Sequence, residues 1–209
     1  MDHFDGSCRC FTACVVKIDF ICPYIIKFDI TFKHPMETSH TFKCILVGDT
    51  GVGKTTFINR HHTGEFVETH IPTTGVAMTS LTFDTNQGKV DFDVWDVGQN
   101  QTKVGQADCA IIMFDLTQAS TYTHVPTWYQ GIVSQYGPIP IVLVGNKYDV
   151  NHVAIKSRQI TFHRTANILY YNLSSKSNHH FEKPFLALAR QLLNSSNIMF
   201  KEENVTCKK

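Results

Sequence analysis

The sequence predicts an α/β fold, a six-stranded and mostly parallel sheet with helices on both faces. Two observations carry that prediction. From Phe42 onward, apolar runs of strand length alternate with helical patterns, and strands separated by helices of roughly 10–15 residues belong to parallel sheets covered on both sides. A glycine-rich turn, Gly48–Thr55, stands between the first such strand and the first such helix. That is the carboxyl edge of the sheet, where open α/β folds bind their ligands.

Taken in order, residues 1–40 differ from the rest. They hold Cys8, Cys10, Cys14 and Cys22, and Lys17-Ile18-Asp19-Phe20 is echoed ten residues later by Lys27-Phe28-Asp29-Ile30. Val16, Ile18 and Phe20 alternate as in a strand, as do Ile26, Phe28, Ile30 and Phe32, so this N-terminal extension is read as a β-hairpin or a disordered appendage. Cys8-x-Cys10-x3-Cys14 matches no common zinc spacing. The domain proper is expected over 41–194. Its strands are Cys44–Val47, a hairpin of Thr74–Phe83 with Lys89–Trp95 turning through Asn86-Gln87-Gly88, then Cys109–Phe114, Ile139–Val144 and Leu169–Leu173. Its helices are Lys54–His62, Thr121–Tyr136 and Phe181–Leu193, and residues 195–209 form a polar, frayed tail.

Composition narrows the function classes. The chain has 209 residues and is 43% hydrophobic, too apolar for a disordered chain and long enough for one real core. Lys and Arg total 19 against 18 Asp and Glu, which gives no electrostatic reason to expect nucleic-acid or membrane binding. Seven cysteines, an odd number, point to a reducing compartment, and Cys44 and Cys109 in apolar runs read as small buried hydrophobes. The most apolar stretch, residues 11–32, is broken by Lys17, Asp19, Pro23, Lys27 and Asp29, so no span of the ~20 residues a membrane helix needs is present. The pairs His61-His62 and His179-His180 have no Cys or carboxylate at ligand spacing and are read as surface residues.

The chemistry begins at Gly48-Asp49-Thr50-Gly51-Val52-Gly53-Lys54-Thr55-Thr56, which fits G-x-x-x-x-G-K-[ST] between a strand and a helix. Its glycines let backbone N–H groups wrap phosphates, and the helix N-terminus adds partial positive charge. Lys54 is positioned for the outer phosphates and Thr55 for Mg2+. Asn146-Lys147-Tyr148-Asp149 follows an apolar strand at the same edge. An ionised Asp149 only accepts hydrogen bonds; guanine offers it two donors on one edge, where adenine offers an acceptor. An ATP-using kinase is disfavoured for that reason. Ser174-Ser175-Lys176, ending the last strand, supports the base from the other side. Thr73, in Ile71-Pro72-Thr73-Thr74-Gly75, is a loop threonine able to reach Mg2+ and the terminal phosphate. In Trp95-Asp96-Val97-Gly98-Gln99, Asp96 can hold Mg2+ through water and Gly98 can offer a backbone N–H.

Over about residues 41–200 the sequence resembles the Ras superfamily of P-loop small G domains and, within it, the Ran branch of nuclear-transport GTPases. The strings that carry the likeness are Thr63-Gly64-Glu65-Phe66, Cys109-Ala110-Ile111-Ile112-Met113-Phe114-Asp115, Phe162-His163-Arg164, and Lys176-Ser177-Asn178 with Phe181-Glu182-Lys183-Pro184-Phe185. The resemblance implies a GTP/GDP switch with Mg2+ that binds importin-β-type receptors and Ran-type regulators, in nucleus and cytoplasm, as a monomer without a membrane anchor. It also implies that Phe66 packs on guanine and that Val67-Glu68-Thr69-His70-Ile71-Pro72-Thr73 forms the first switch loop. Gln99 would orient the attacking water, with Lys54 stabilising the developing charge.

Several positions depart from the family. Most relatives read D-x-x-G-Q, whereas Asp96 and Gly98-Gln99 stand one residue closer. Either the loop reshapes to keep Gln99 in its role, or Asn100 takes the place with a shorter side chain. The Asp96–Cys109 segment is short for a second switch, Thr50 replaces a glycine, and Thr165-Ala166 replaces a basic pair. The acidic tail is missing, and Cys207 is third from the end rather than in the C-a-a-X position. Two functions are therefore expected as alternatives, a slowly hydrolysing transport switch or a guanine-nucleotide-binding scaffold or competitor that has lost hydrolysis.

Overall fold

The computed structural model describes residues 39–66, 75–97 and 105–201. The strands are β1 (Ser39–Val47), β2 (Val76–Thr85), β3 (Gly88–Val97), β4 (Cys109–Asp115), β5 (Ile141–Asn146) and β6 (Leu169–Asn172). The helices are α1 (Lys54–Thr63), α2 (Ala119–Thr123), α3 (Val125–Tyr136), α4 (Phe162–Thr165) and α5 (Lys183–Leu192). One sheet runs in the order β2-β3-β1-β4-β5-β6, parallel throughout except for the β2–β3 hairpin. The α/β architecture read from the sequence is the one observed.

Burial explains the pattern. Every residue of β4 and β5 is buried, as strands covered on both faces must be, and they read as unbroken apolar runs. Alternate residues feed two cores. Cys44, Leu46, Ile111, Met113, Val142 and Val144 meet Phe57 of α1 and Phe185 and Leu188 of α5. Ile45, Val47, Ile112, Phe114 and Leu143 meet Val125 and Ile132 of α3. Cys44 and Cys109 lie opposite each other in register, both free and fully buried, and burial holds the Cys109 thiol well above its usual range.

Five local expectations need correction. The helix expected over Thr121–Tyr136 is two helices that meet at His124, because Pro126 opens α3 and lacks the N–H a continuous helix needs. β5 begins at Ile141 rather than Ile139, since Pro140 cannot donate to the ladder. β1 starts five residues earlier than expected; its exposed first half pairs in parallel with Lys89–Asp93 of β3. Only the expected polar tail's first part, residues 195–201, is described, and it is a strap rather than a frayed end. Asn86 Nδ2 donates to the Asn197 carbonyl at 2.9 Å, and Lys201 N donates to the Asp84 carbonyl at 2.8 Å. Ile198 is fully buried, and Phe200 stacks on Phe83 with ring centroids 4.6 Å apart.

The fifth correction concerns His61, expected at the surface. Its ring stacks on Phe181 at 3.7 Å and sits edge-on to Phe57 at 4.9 Å, and Nε2 donates to the Phe181 carbonyl at 3.2 Å. Burial pushes its pKa down to about 3. The hairpin or disordered appendage expected before residue 41 and its four cysteines fall in residues 1–38, which, like the segments 67–74 and 98–104 and Cys207 in 202–209, lie outside the described residues.

Candidate functional site

The site is built from loops at the carboxyl ends of β1, β3, β5 and β6. Where β1 ends, Gly48 has φ +145°, and a Cβ there would run into the Met113 carbonyl oxygen of β4. Gly53 has φ +97° and forms the N-cap of α1; a Cβ on it would collide with the Asn146 amide. The two glycines that bound the loop are thus required by its close approach to β4 and to the base-side loop. No acidic residue occupies the first turn of α1, so nothing on the helix neutralises its positive end.

Lys54 opens α1 and is only 8% exposed. Its Nζ donates to the carbonyls of Gly48 at 2.7 Å and Asp49 at 2.9 Å. Burial lowers its pKa, and the Asp96 and Asp49 carboxylates oppose that shift. Asp96, 1% exposed near the end of β3, accepts a hydrogen bond from the Thr55 hydroxyl. Hydroxyl and carboxylate oxygens side by side suit a hard cation such as Mg2+. Thr73, the third expected ligand, lies outside the described residues.

On the base side a cavity of 290 Å³ is lined by Gly51, Gly53, Thr56, Phe66, Asn146, Lys147, Asp149, Ser175 and Lys176, with Val150. Asn146 joins three loops. Its Nδ2 donates to the Val52 carbonyl at 2.9 Å, and its Oδ1 accepts from Ser175 N and Ser175 Oγ, each at 3.3 Å. Asp149 Oδ1 accepts from Ser174 Oγ at 2.6 Å, and Ser174 Oγ also accepts from Ser177 N at 2.9 Å. Lys147 stands in the left-handed region at φ +64° and pairs with the buried Asp115 at 2.6 Å. Lys176 Nζ lies 5.8 Å from the centre of the Phe66 ring.

A phosphate-sized cradle, a buried lysine, a hydroxyl–carboxylate pair and a base-sized cavity lined by a carboxylate therefore share one edge of the sheet. The family model of the Ras family matches residues 43–194. The chain belongs to the Ras family. Small GTPases of this family bind GTP and GDP with Mg2+ and act as nucleotide-dependent switches, and this chain is accordingly a GTP-binding switch domain of the small-GTPase type.

Of the residues expected at the site, the structure brings Gly51, Gly53, Thr56, Phe66, Asn146, Lys147, Asp149, Ser175 and Lys176 around one cavity. It sets Lys54, Thr55 and Asp96 beside one another. Val52 contributes its carbonyl to Asn146, Thr50 is exposed at the loop's tip, and the Asp49 carboxylate turns to α3. Val67–Thr73, Gly98, Gln99 and Asn100 lie outside the described residues. Sequence reading missed Asp115, whose Oδ1 also accepts from the N–H and hydroxyl of Thr117. The signal was present: a lone acid ending a buried strand, with a threonine two residues on, is an Asx-turn pattern.

Proposed function

We propose that this Ras-family protein is a Ran-like switch that binds GTP, hydrolyses it slowly, and engages importin-β-type transport receptors in its GTP state. What supports the nucleotide half is the Asn146 tie, which fixes the base cavity against the phosphate loop so that one nucleotide spans both. What supports the transport half is the Ran-like string Phe181–Phe185. Its Phe181 and Phe185 rings pack on Phe57 of α1, so the string seats α5 against the helix that follows the phosphate loop.

In this reading Asp149 accepts the two donors of guanine, Phe66 covers the ring, and Lys54 with the α1 N-terminus draws the phosphates. Thr55, Thr73 and Asp96 would hold Mg2+, which would supply charge neutralisation at the outer phosphates. Thr73 would reach a terminal phosphate that only GTP carries, and that contact would order the first switch loop. Gln99 orients a water for in-line attack on the terminal phosphorus. The bond to the bridging oxygen of GDP breaks, and Lys54 stabilises the charge that develops there. The protein works as a monomer in nucleus and cytoplasm, with Ran-type regulators setting its state.

A second reading, a binder without hydrolysis, is favoured by one observation. Asp96 and Gly98-Gln99 stand one residue closer than the family spacing, and only residues 98–108 separate β3 from β4. Single-turnover hydrolysis of bound GTP decides between the two. Slow phosphate release that Gln99→Ala abolishes supports the switch. Tight GTP binding without release supports the scaffold. Capture of importin-β from the GTP state but not the GDP state tests the transport role, and equal capture in both states counts against it.

A further inference from the structure

We propose that His124 and Trp128 form a latch that holds the Asp49 carboxylate away from the Lys54 ammonium, so that the ammonium stays available to nucleotide phosphates. The proposal rests on the guanine-nucleotide reading above and deepens it. Asp49 places an anion in the loop that has to receive a polyanion, and like charges at such range repel. The loop pattern itself does not ask for it, since this position is one of its four unspecified residues.

The geometry shows how that anion is managed. The Asp49 carboxylate lies near enough to Lys54 to favour its charged form. Even so, Lys54 Nζ donates to the backbone carbonyls of Gly48 and Asp49. Both carboxylate oxygens point to α3. Oδ2 accepts from His124 Nδ1 at 2.6 Å, and Oδ1 accepts from Trp128 Nε1 at 2.9 Å. An ionised carboxylate only accepts, so Nδ1 is the ring nitrogen that carries the proton. Each oxygen has one side-chain donor, and the Asp49 side chain is 14% exposed.

The two donors are held firmly. His124 is the joint between α2 and α3, and Trp128 N donates to its carbonyl at 3.1 Å, one turn along. Val125 and Ile132 bury α3 against the sheet. In the middle of α2, Thr121 Oγ1 accepts from Asp115 N at 3.0 Å, and Asp115 pairs with Lys147 of the base-side loop. The latch therefore stands at the end of a run of contacts that starts beside the base cavity.

Without the latch, the carboxylate is released beside a buried ammonium, where a charge-assisted pair is strong. An incoming phosphate then has to displace it. The loss falls on ligands whose outer phosphates reach Lys54, that is GDP and GTP, and spares GMP, whose binding relies on the base cavity and the loop's N–H groups.

The experiment compares dissociation constants of GTP, GDP and GMP for the full chain and for His124→Ala, Trp128→Phe and the double variant Asp49→Asn with His124→Ala. Calorimetry reads the binding, and a thermal melt of each protein checks its folding. The expected result is roughly tenfold weaker GDP and GTP binding in either single variant, with GMP changed by less than about twofold and the loss shrinking as salt screens the pair. Removing the charge with Asp49→Asn should restore GDP and GTP binding in the His124→Ala background. The latch is overturned by an equal loss for GMP, by no loss at all, or by failure of Asp49→Asn to rescue. Absence of guanine-nucleotide binding in the unaltered chain would instead overturn the reading beneath it.

Discussion

The two halves of the nucleotide site are built on different physics. Around the base cavity, Asn146, Asp149, Ser174 and Ser175 hold one another by hydrogen bonds, and Lys147 is paired with the buried Asp115. Around the phosphates, Lys54 is buried with the Asp96 and Asp49 carboxylates in its field and Thr55 on Asp96. The first half is fixed before a ligand arrives and so selects by shape and donor pattern. The second holds charges of both signs in poorly hydrated surroundings, where each added phosphate charge matters strongly. Discrimination between bases is thus expected from the first half, and discrimination between a diphosphate and a triphosphate from the second.

Substitutions can break that division. Lys54→Ala should act most strongly, weakening GDP and GTP by about a thousandfold, since a charge-assisted donor is lost and the Asp96 carboxylate stays buried. Calorimetry would show the loss, and a lowered melting temperature should accompany it. Asp149→Asn should cost on the order of a hundredfold for GDP, because the acceptor pair that matches guanine is gone. The same variant should gain affinity for xanthosine diphosphate, whose base offers an acceptor where guanine offers its amino group. If Asp149→Asn altered the GTP-to-GDP ratio as much as base choice, the division of labour would fail. Asn146→Ala, which unties the two halves, should lower stability by about 1–3 kcal/mol and weaken every guanine nucleotide to a similar degree.

The one effect that leaves nucleotide affinity at pH 7 untouched lies outside both halves. His61 titrates at about 3 in the folded chain and near 6.5 when unfolded. The unfolded chain therefore binds the extra proton between those values. Stability from this residue is intact above about pH 6.5 and falls as the pH drops towards 3, by up to about 1.4 kcal/mol per pH unit. A denaturant series across that range should show the slope reduced in His61→Phe, with nucleotide affinity at pH 7 unchanged.

Much of this was legible in the sequence, and for a physical reason. β4 and β5 are buried on both faces, so their apolar runs announced themselves, and the loop motif falls where a strand hands over to a helix. What escaped depended on contacts distant in sequence. His61 reads as polar until Phe181, 120 residues away, stacks on its ring. Ser195–Lys201 reads as polar until Asn86 and Phe83 receive it. Pro126 and Pro140 were visible, and their effect on helix and strand boundaries followed local rules that the longer periodic patterns had masked.

The strap after α5 has a bearing on how this protein keeps to itself. β2 is one of the two outer strands of the sheet, and an outer strand offers its backbone groups to any passing chain that can adopt an extended form. Lys201 takes up the Asp84 carbonyl, and Met199 and Phe200 sit along Thr85 and Asn86. The hairpin tip is thereby capped by the chain's own backbone. Along β2, the described stretch that the strap leaves uncovered is Val76–Phe83, so a strand added to that edge has to stop short of the hairpin tip.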